Sequence, residues 1–436
     1  MSRIFMSFLG TSSYAQTNYR LDGGTCLTCF VQVALLEFLG SFDRCYIFVT
    51  SDARSKNWNA LCAEMRQKGK DPALLTPVDI PAGKNPEEIW EIFSAIQAQL
   101  PSESSVVFDT THSFRSIPIL ALACIQYAGV RADVRLERIL YGAWEASEFS
   151  GEPNAAPVTP IFDLTAFVEL MNWSHAILEF SRYGTIGAMK GLIRQPQGAS
   201  YLDNDRTKQG KSREVSGRLK QNLHAFIENF DKLQRAIWTC RGKMILEGAE
   251  FERSAGNLRK LKNKPKDLPP AFGPLLDVLD KKISVLKGPE NLSVSESIRR
   301  GLGAVRWCLD HGLIQQAYTI LQETLISHFC EQIGIDGKKR ENRELVSQAA
   351  HTLEKPFEEW KTQTKENDAT IRRIHQDVHR DLIRNFCTLS AFRNDINHMK
   401  VSSTTSPDTL IEQIESAYQK TIRLLGASMD ASSVEL

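Results

Sequence analysis

The stretch RIFMSFLGTSS, residues 3–13, joins a run of apolar residues to a loop of glycine and hydroxyl residues. A short apolar run that ends in a turn signal is typical of a buried strand. In the loop, Gly10 lets the backbone approach a ligand closely, and Thr11 and Ser12 offer hydroxyl groups to a phosphate or a sugar. The further glycines of a dinucleotide-binding fingerprint do not follow. This stretch therefore predicts a strand that leads into a ligand-binding loop.

Strand and helix patterns alternate from this stretch to about residue 165. Patterns typical of strands cover residues 45–50, 74–80 and 105–109, with 134–141 and 158–164 as further candidates, and patterns typical of helices cover 24–39, 53–68, 86–100 and 117–128. Such alternation predicts an α/β fold with a parallel sheet and helices on both faces. Ligands of these sheets bind where loops leave the carboxyl ends of the strands. Thr50, which ends the second strand pattern, is a candidate for the same crevice as Gly10.

A second polar loop, DTTHSFR at residues 109–115, follows a predicted strand and precedes a predicted helix. It gathers a carboxylate, hydroxyl groups, an imidazole and a guanidinium at one helix N-terminus. Because helix N-termini and arginine both favour anions, we expect Thr111, His112 and Arg115 to bind a nucleotide phosphate. The alternative is local capping, in which Asp109 pairs with Arg115 and binds nothing else.

From about residue 166 onward, the pattern changes to one helix after another. Helical periodicity covers residues 167–194, 221–252, 294–332 and 341–392. Two basic tracts, 195–220 and 260–270, lie between these helices and are interpreted as a hinge, an RNA-facing surface or solvated charge. The predicted fold class is therefore α/β followed by all-α. We divide the chain into an N-terminal α/β domain, a helical connector and a C-terminal helical domain, at residues 1–165, 166–290 and 291–436.

Composition restricts the classes of function. The chain has 436 residues and a formal net charge of +1, so no overall positive field attracts nucleic acid and any RNA contact must be local. Nine cysteines are scattered without a disulfide or zinc framework, and the close pair Cys26 and Cys29 is interpreted as apolar packing on a helix. We expect no bound metal. Since neither a signal peptide nor an apolar run of spanning length is present, we expect a cytoplasmic protein without membrane contact.

Close to the other end of the chain, the stretch RNDINH at residues 393–398 places a permanent cation near a titratable imidazole. These two groups suffice for RNA cleavage without a metal: the 2′-hydroxyl attacks the adjacent phosphorus, His398 moves a proton and Arg393 stabilises the phosphoryl oxygens. Five residues on an ideal helix turn the two side chains about 140° apart. Two copies of the stretch that meet across a dimer axis would therefore focus these groups better than one copy.

The spacing of arginine and histidine in this stretch is weak evidence by itself. Arg306 and His311 have the same spacing, but large apolar residues between them predict a packed amphipathic helix. His375 and His379 have the spacing of a zinc metalloprotease helix, yet Gln376 stands where that chemistry needs a glutamate base. We interpret this second pair as helical histidines that face solvent or a partner.

Three stretches together carry a resemblance to a known family. Asp109-Thr110-Thr111-His112-Ser113 resembles an Asp-x-Thr-His-Gly signature, with serine in place of the glycine, and residues 8–11 and 393–398 resemble a first-strand loop and a nuclease motif. The family is that of the CRISPR-associated ribonucleases of type III systems. Its members join an N-terminal CARF domain, a Rossmann-like sensor of cyclic oligoadenylate, to a C-terminal helical HEPN nuclease domain.

The resemblance implies a homodimer, or a higher homo-oligomer, that cleaves single-stranded RNA without a metal when a cyclic oligoadenylate binds. The residues that it implies for the ring nucleotide are Gly10, Thr11, Ser12, Thr50, Thr111, His112 and Arg115. The residues that it implies for the nuclease site are Arg393, Asn394 and His398, with Asn394 orienting its neighbours. These loops do not fix the size of the ring, and cyclic tetra-adenylate is the first expectation.

Two alternatives to this function stay open. In the first, the chain is a sensor without catalytic activity, and its helical domain recruits a partner after the ring nucleotide binds. In the second, the CARF domain itself cleaves the ring, with His112 or a nearby hydroxyl group at a phosphate.

Overall fold

The computed structural model describes residues 1–112, 117–150, 155–194, 211–264, 271–360, 364–397 and 405–427. The chain divides into two compact units. They comprise Met1–Asn172 with Pro196–Glu214, and Trp173–Gln195 with Val215–Leu436. The division into three domains expected from the sequence stays a prediction.

An eight-stranded sheet forms the framework of the described part of the first unit. Its strands are β1 (Ser2–Leu9), β2 (Thr17–Leu21), β3 (Gly24–Thr28), β4 (Arg44–Val49), β5 (Leu75–Asp79), β6 (Ser104–Asp109), β7 (Arg135–Gly142) and β8 (Val158–Asp163). They lie in the order β3-β2-β8-β7-β6-β1-β4-β5. The five strands from β7 to β5 are all parallel, as predicted, whereas β7 pairs antiparallel with β8 and β2 pairs antiparallel with β3.

Helices cover both faces of the parallel strands, which confirms the predicted α/β fold. They are α1 (Val31–Phe38), α2 (Ser51–Ala53), α3 (Asn59–Gln67), α4 (Pro86–Ala98) and α5 (Ile117–Ala132), and a π-helical turn, Arg54–Trp58, joins α2 to α3. Alternate residues of β1 point to opposite faces: Phe5 and Leu9 pack with α1 and α3, whereas Met6 and Phe8 pack with α4 and α5. Burial on both faces explains why the strand is almost continuously apolar.

The helix predicted over 24–39 is wrong in its first part. A hairpin of β2 and β3 occupies that region, and α1 begins only at Val31. The cause is the turn at Asp22 and Gly23, whose φ angles of 50° and 87° suit a two-residue hairpin. Cys26 is consequently buried on a strand and not on a helix.

A buried guanidinium fastens this hairpin to the sheet. Arg138 on β7 donates to Asp22 in the hairpin turn at 2.9 Å and to Asp163 at the end of β8 at 2.9 Å. The Arg138 side chain is only 10% exposed, so its charge depends on these two carboxylates. The hairpin of β2 and β3 is thus attached to the sheet by ion pairs as well as by backbone hydrogen bonds between strands.

The described part of the second unit is helical, as predicted. Helix α6 (Thr165–Tyr183) begins before the division between the units, and the helices that follow are α7 (Gly187–Arg194), α8 (Lys211–Trp238), α9 (Gly242–Glu247), α10 (Ala249–Lys262), α11 (Phe272–Ser284), α12 (Glu296–Asp310), α13 (Ile314–Gln332), α14 (Arg340–Thr352), α15 (Lys365–Asp377), α16 (Arg380–Asn397) and α17 (Pro407–Ala427). The rings of Phe180, Phe230 and Trp307 lie 5.0–5.7 Å apart at the centre of this unit. Gly303 allows a close approach, since a Cβ there would lie 2.6 Å from the carbonyl oxygen of Val285.

The structure also shows the surroundings of the two other spaced pairs in the sequence, Arg306 with His311 and His375 with His379. Arg306 lies on a packed helix, as predicted, and pairs with Asp310 and Glu415, both at 2.8 Å. The interpretation of His375 and His379 as one helical pair is wrong, because α15 ends at Asp377, between the two histidines, whereas the expected exposure to solvent holds for His379. His375 instead bonds the carbonyl oxygen of Ala349 through Nε2 at 2.7 Å.

Within the described ranges, no helix is long and apolar enough to cross a membrane. The same ranges contain no group of three or more His, Cys, Asp or Glu side chains that could hold a metal ion.

The Arg138 cluster predicts a specific loss of stability. Replacing Arg138 with Met should lower the free energy of unfolding by about 2 kcal/mol, because Asp163 is left partly buried without its cation. Urea unfolding followed by circular dichroism measures this difference. Arg20→Met is the control, since its pair with Glu148 is exposed, and it should change stability little. An Arg138→Met protein as stable as the wild type would mean that the pair only offsets its own desolvation.

Candidate functional site

A pocket of about 270 Å³ opens at the carboxyl ends of β1, β4 and β6. This is the edge where ligands of parallel sheets bind. Its walls contain six residues predicted for ring-nucleotide binding, namely Gly10, Thr11, Ser12, Thr50, Thr111 and His112. Apolar side chains, among them Phe8, Phe48 and Ile80, form the rest of the lining. Arg115 and Ser113, which were also singled out in the sequence, lie outside the described residues.

Tyr14 organises the first loop, a role that the sequence pattern did not indicate. Its hydroxyl oxygen accepts a hydrogen bond from the backbone N–H of Gly10 at 2.8 Å. Its ring packs against His112 and Phe30, with ring centroids 4.3 and 5.0 Å away. A Cβ on Gly10 would lie 3.1 Å from the Tyr14 hydroxyl and 3.3 Å from the carbonyl oxygen of His112. Glycine therefore brings the two polar loops together at this point.

Two neighbouring side chains hold the same loop from its other side. Asn57 Nδ2 donates to the carbonyl oxygens of Gly10 at 2.8 Å and Ser12 at 2.9 Å. Lys56 Nζ donates to the carbonyl oxygen of Thr11 at 2.6 Å. Both side chains come from the π-helical turn, a rare structure that is often found at functional sites. The sequence pattern predicted a helix over these residues but did not indicate their contacts with the loop.

Asp109 anchors the second loop from below the pocket. Its carboxylate is completely buried. It accepts hydrogen bonds from Ser7 Oγ at 2.6 Å and from the backbone N–H and the hydroxyl of Thr111 at 3.0 and 2.5 Å. Thr111 Oγ1 also accepts from the backbone N–H of Gly142 at 2.8 Å. The network therefore connects β1, β6 and β7 at their carboxyl ends.

The pKa of Asp109 reflects opposing effects. Burial raises the pKa of this carboxyl above its ordinary value, and the hydrogen bonds from Ser7 and Thr111 act in the opposite direction. Both carboxylate oxygens have donors within the described residues, so Asp109 acts as a scaffold for Thr111. The suggested pair between Asp109 and Arg115 involves a residue outside the described ranges.

His112 presents a neutral imidazole to the pocket. Burial lowers the pKa of His112 to about 4, so the ring carries no charge at neutral pH. Its Nε2 atom is buried and has no hydrogen-bond partner among the described residues. A buried polar atom without a hydrogen-bond partner favours the binding of a ligand that supplies the missing donor or acceptor. His112 can therefore make one hydrogen bond to a bound molecule, without attracting it by charge.

Burial also keeps Tyr14 uncharged. It raises the pKa of the Tyr14 phenol to about 12. None of the residues that line the pocket in the described ranges is acidic or basic apart from neutral His112. Recognition within the lining thus depends on hydroxyl groups, backbone groups and one imidazole.

The second candidate site lies at the C-terminal end of α16. Arg393 Nη1 donates to Asn394 Oδ1 at 3.1 Å, and Asn394 is exposed. Arg393 Nε is buried and has no hydrogen-bond partner among the described residues. Asn397 accepts a hydrogen bond from Gln315 on α13 at 3.1 Å. His398, the proposed proton-transfer group, lies outside the described residues.

Cys240 is a neighbour of Arg393 that sequence reasoning missed. Burial raises the pKa of the Cys240 thiol, and a hydrogen bond from Thr319 together with the charge of Arg393 partly offsets this effect. The cysteine lies between α8 and α9 with a positive φ of 51°. The charge of Arg393 thus influences a thiol about 150 positions earlier in the chain.

Comparisons with known proteins place these two sites in context. No protein-family model matches the chain. The chain is 22% identical over 267 residues to the CRISPR-associated protein MJ1674 of Methanocaldococcus jannaschii, which covers 61% of this chain and 35% of that protein. The chain thus spans about a third of the length of this curated relative. It also aligns with the structure of Enterococcus italicus Csm6 bound to cyclic hexa-2′-fluoro-hexa-dAMP, at 11% identity and a TM-score of 0.37, over 98% of this chain and 94% of that one. The similarity to MJ1674 confirms a resemblance to CRISPR-associated proteins.

Proposed function

We propose that the first unit binds a cyclic oligoadenylate in the pocket at the carboxyl ends of β1, β4 and β6. The observation that carries this proposal is the convergence of the Gly10–Ser12 loop with Thr111 and His112 on one pocket. Backbone groups, hydroxyl groups and a neutral imidazole suit the sugars, phosphates and bases of a nucleotide. The sequence similarity to a CRISPR-associated protein supports a role in type III CRISPR antiviral defence.

We further propose that the protein acts as a homodimer, because an apolar stripe on α5 is left uncovered. Its members recur at helical spacing and are all exposed: Ile119, Ala123, Tyr127 and Val130. Exposed Trp90 on α4 extends the stripe, and Phe93 joins Trp90 to Tyr127 through edge-on ring contacts of 5.5 Å. A helix that is apolar on all sides is normally buried. A second copy of the chain would cover this stripe with the same apolar residues, so that no charge would be buried between the two copies.

The second unit is proposed to cleave single-stranded RNA. The 2′-hydroxyl of the RNA attacks the adjacent phosphorus and the bond to the 5′-oxygen breaks, which leaves a 2′,3′-cyclic phosphate and a 5′-hydroxyl. Arg393 stabilises charge on the phosphoryl oxygens, His398 moves the proton, and Asn394 orients the guanidinium through the hydrogen bond between them. This chemistry requires no metal ion. Ring binding would activate it by favouring the dimer arrangement in which both motifs converge, provided that the ring binds that arrangement more tightly.

The neutral state of His112 predicts that ring binding changes little with pH near neutrality. With a pKa of about 4, the imidazole stays uncharged throughout, so the Kd for cyclic tetra-adenylate should vary by less than about twofold between pH 6 and 8. Isothermal titration at constant ionic strength measures this. His112→Ala should weaken binding about tenfold at every pH through the lost hydrogen bond. An affinity that falls as pH rises through 6.5 would instead mean that a charged imidazolium contacts the phosphate.

The apolar stripe predicts the oligomeric state. Tyr127→Glu combined with Val130→Glu should convert a dimer into a monomer, because charge cannot be buried in an apolar interface without a partner. Light scattering coupled to size-exclusion chromatography measures the mass. Phe149→Glu is the matched control, since Phe149 is a similarly exposed aromatic residue that belongs to neither α4 nor α5, and it should leave the dimer intact. A double variant that remains dimeric would place the interface elsewhere.

The nuclease proposal is tested with a fluorogenic single-stranded RNA in EDTA, with cyclic tri-, tetra- and hexa-adenylate added separately. We expect cleavage with one ring, and a loss of at least about 100-fold in Arg393→Ala and His398→Ala, in line with removal of a general acid–base group. His379→Ala is the control, because His379 is an exposed histidine of the same unit. The ends of the products should be 2′,3′-cyclic phosphates.

Other outcomes of this assay favour the competing functions. Ring binding without cleavage under any condition would favour a sensor that recruits a partner. Cleavage that needs magnesium and survives in His398→Ala would place the catalytic groups elsewhere. Decay of the ring nucleotide in His398→Ala would reveal ring cleavage by the first unit.

A further inference from the structure

We infer that Lys56 and Asn57 form an anion-recognition element beside the pocket, in which Asn57 positions the Gly10–Ser12 loop, and exposed Lys56 binds a phosphate of the ring other than the one at the N–H groups of that loop. This inference rests on the proposed function of the pocket. It adds a positively charged group and a positioning residue that the sequence motifs did not contain. The observation that carries it is the set of three hydrogen bonds from these two side chains to three successive carbonyl groups.

These three hydrogen bonds determine which way the loop presents its N–H groups. The peptide unit is planar and trans, so the carbonyl of one residue points opposite to the N–H of the next. Lys56 and Asn57 hold the carbonyls of residues 10–12 on one side of the loop. The N–H group that follows each carbonyl, in residues 11–13, therefore turns to the other side. Successive N–H groups on one side of a loop form a nest, which binds anions.

Asn57 is well placed to keep the loop in this shape. Its side chain is buried, with only 7% of the residue exposed, and its amide group spans two carbonyls that are two residues apart. The bond from Gly10 N–H to the Tyr14 hydroxyl fixes the loop at its start. Binding therefore requires little further ordering of the loop, which reduces the entropic cost of capturing a ligand.

The charge of the pocket explains why Lys56 is needed. A cyclic oligoadenylate carries one negative charge on each phosphate, whereas the lining residues of the described ranges supply no cation. Nearby Arg54 pairs with Asp79 at 2.7 Å. The ammonium group of Lys56 instead donates to a neutral carbonyl, that of Thr11 in the pocket wall. Its three N–H donors allow it to keep this bond while donating to a phosphate.

The π-helical turn explains how both side chains reach the loop. Thr50 begins the helical segment by accepting a hydrogen bond from the backbone N–H of Ala53 at 3.2 Å. The wider turn Arg54–Trp58 follows at once and offers two adjacent side chains to one loop. Such insertions are retained mainly where they serve a function, because the geometry of the helix is less favourable there.

The test compares cyclic tetra-adenylate binding by the full chain and its variants over a range of KCl concentrations. Lys56→Gln should weaken binding about tenfold and lower the slope of log Kd against log salt concentration by about 0.7, the loss of one phosphate contact. Asn57→Asp keeps the shape of the side chain but removes its donor. It should weaken binding at least about tenfold, because two loop carbonyls lose their donor and the carboxylate adds a negative charge beside them. Lys68→Gln is the control, since Lys68 is an exposed lysine at the end of α3, and it should match the wild type.

Hydrogen exchange separates positioning from a purely structural role of Asn57. In the wild type and in Lys56→Gln, the ring nucleotide should protect the amides of Thr11, Ser12 and Ser13, and in Asn57→Asp this protection should be lost while the sheet amides stay protected. Wild-type affinity and salt slope in Lys56→Gln would overturn the role of Lys56, and wild-type binding by Asn57→Asp would overturn that of Asn57. A wild-type protein that binds none of the three rings would overturn the proposed function together with this inference.

Discussion

The buried carboxylate of Asp109 is the constraint on which the pocket depends. Removing a charged group from water is costly, and the carboxylate is retained because Ser7 and Thr111 donate hydrogen bonds to it. Gln32 extends the network by donating to Ser7 Oγ at 3.1 Å and to the carbonyl oxygen of Phe8 at 2.9 Å. The ends of β1 and β6 are therefore fixed relative to each other, and the loops that follow them start from fixed points.

Interactions on both sides of the first loop then complete the site. Tyr14 holds Gly10 from the side of His112, and Lys56 and Asn57 hold three carbonyls from the π-helical turn. Among the described residues, the side chains that line the pocket are uncharged, whereas Asp109 and Lys56 contact the two loops from outside the lining. In such a pocket, selectivity comes from the number and direction of hydrogen-bond donors, while affinity for a polyanion requires a cation at the rim.

The sequence pattern predicted the features that depend on neighbouring residues, and missed those that depend on contacts between residues far apart in the chain. Continuous apolar runs identified β1, β4 and β6 because these strands are buried on both faces, and the loops after them were correctly placed on one edge. The hairpin of β2 and β3 was missed because β3 runs almost directly into the apolar residues of α1, and the pattern over both was assigned to one helix. Lys56 and Asn57 read as ordinary surface residues of a helix, since only the fold brings them to the carbonyls of a loop about 45 positions earlier.

The described residues at the end of α16 supply one part of what the proposed RNA cleavage requires. The hydrogen bond from Arg393 to Asn394 uses one of five N–H donors of the guanidinium, so the group retains capacity for a phosphate. A guanidinium alone stabilises charge but transfers no proton, because its pKa is far above neutrality. The proton must therefore pass through another group, and the sequence motif predicts the imidazole of His398 for this role. On an ideal helix, two side chains that are five residues apart point about 140° away from each other. The cleavage that we propose for Arg393 and His398 would therefore gain from a second copy of the motif, in line with the proposed homodimer.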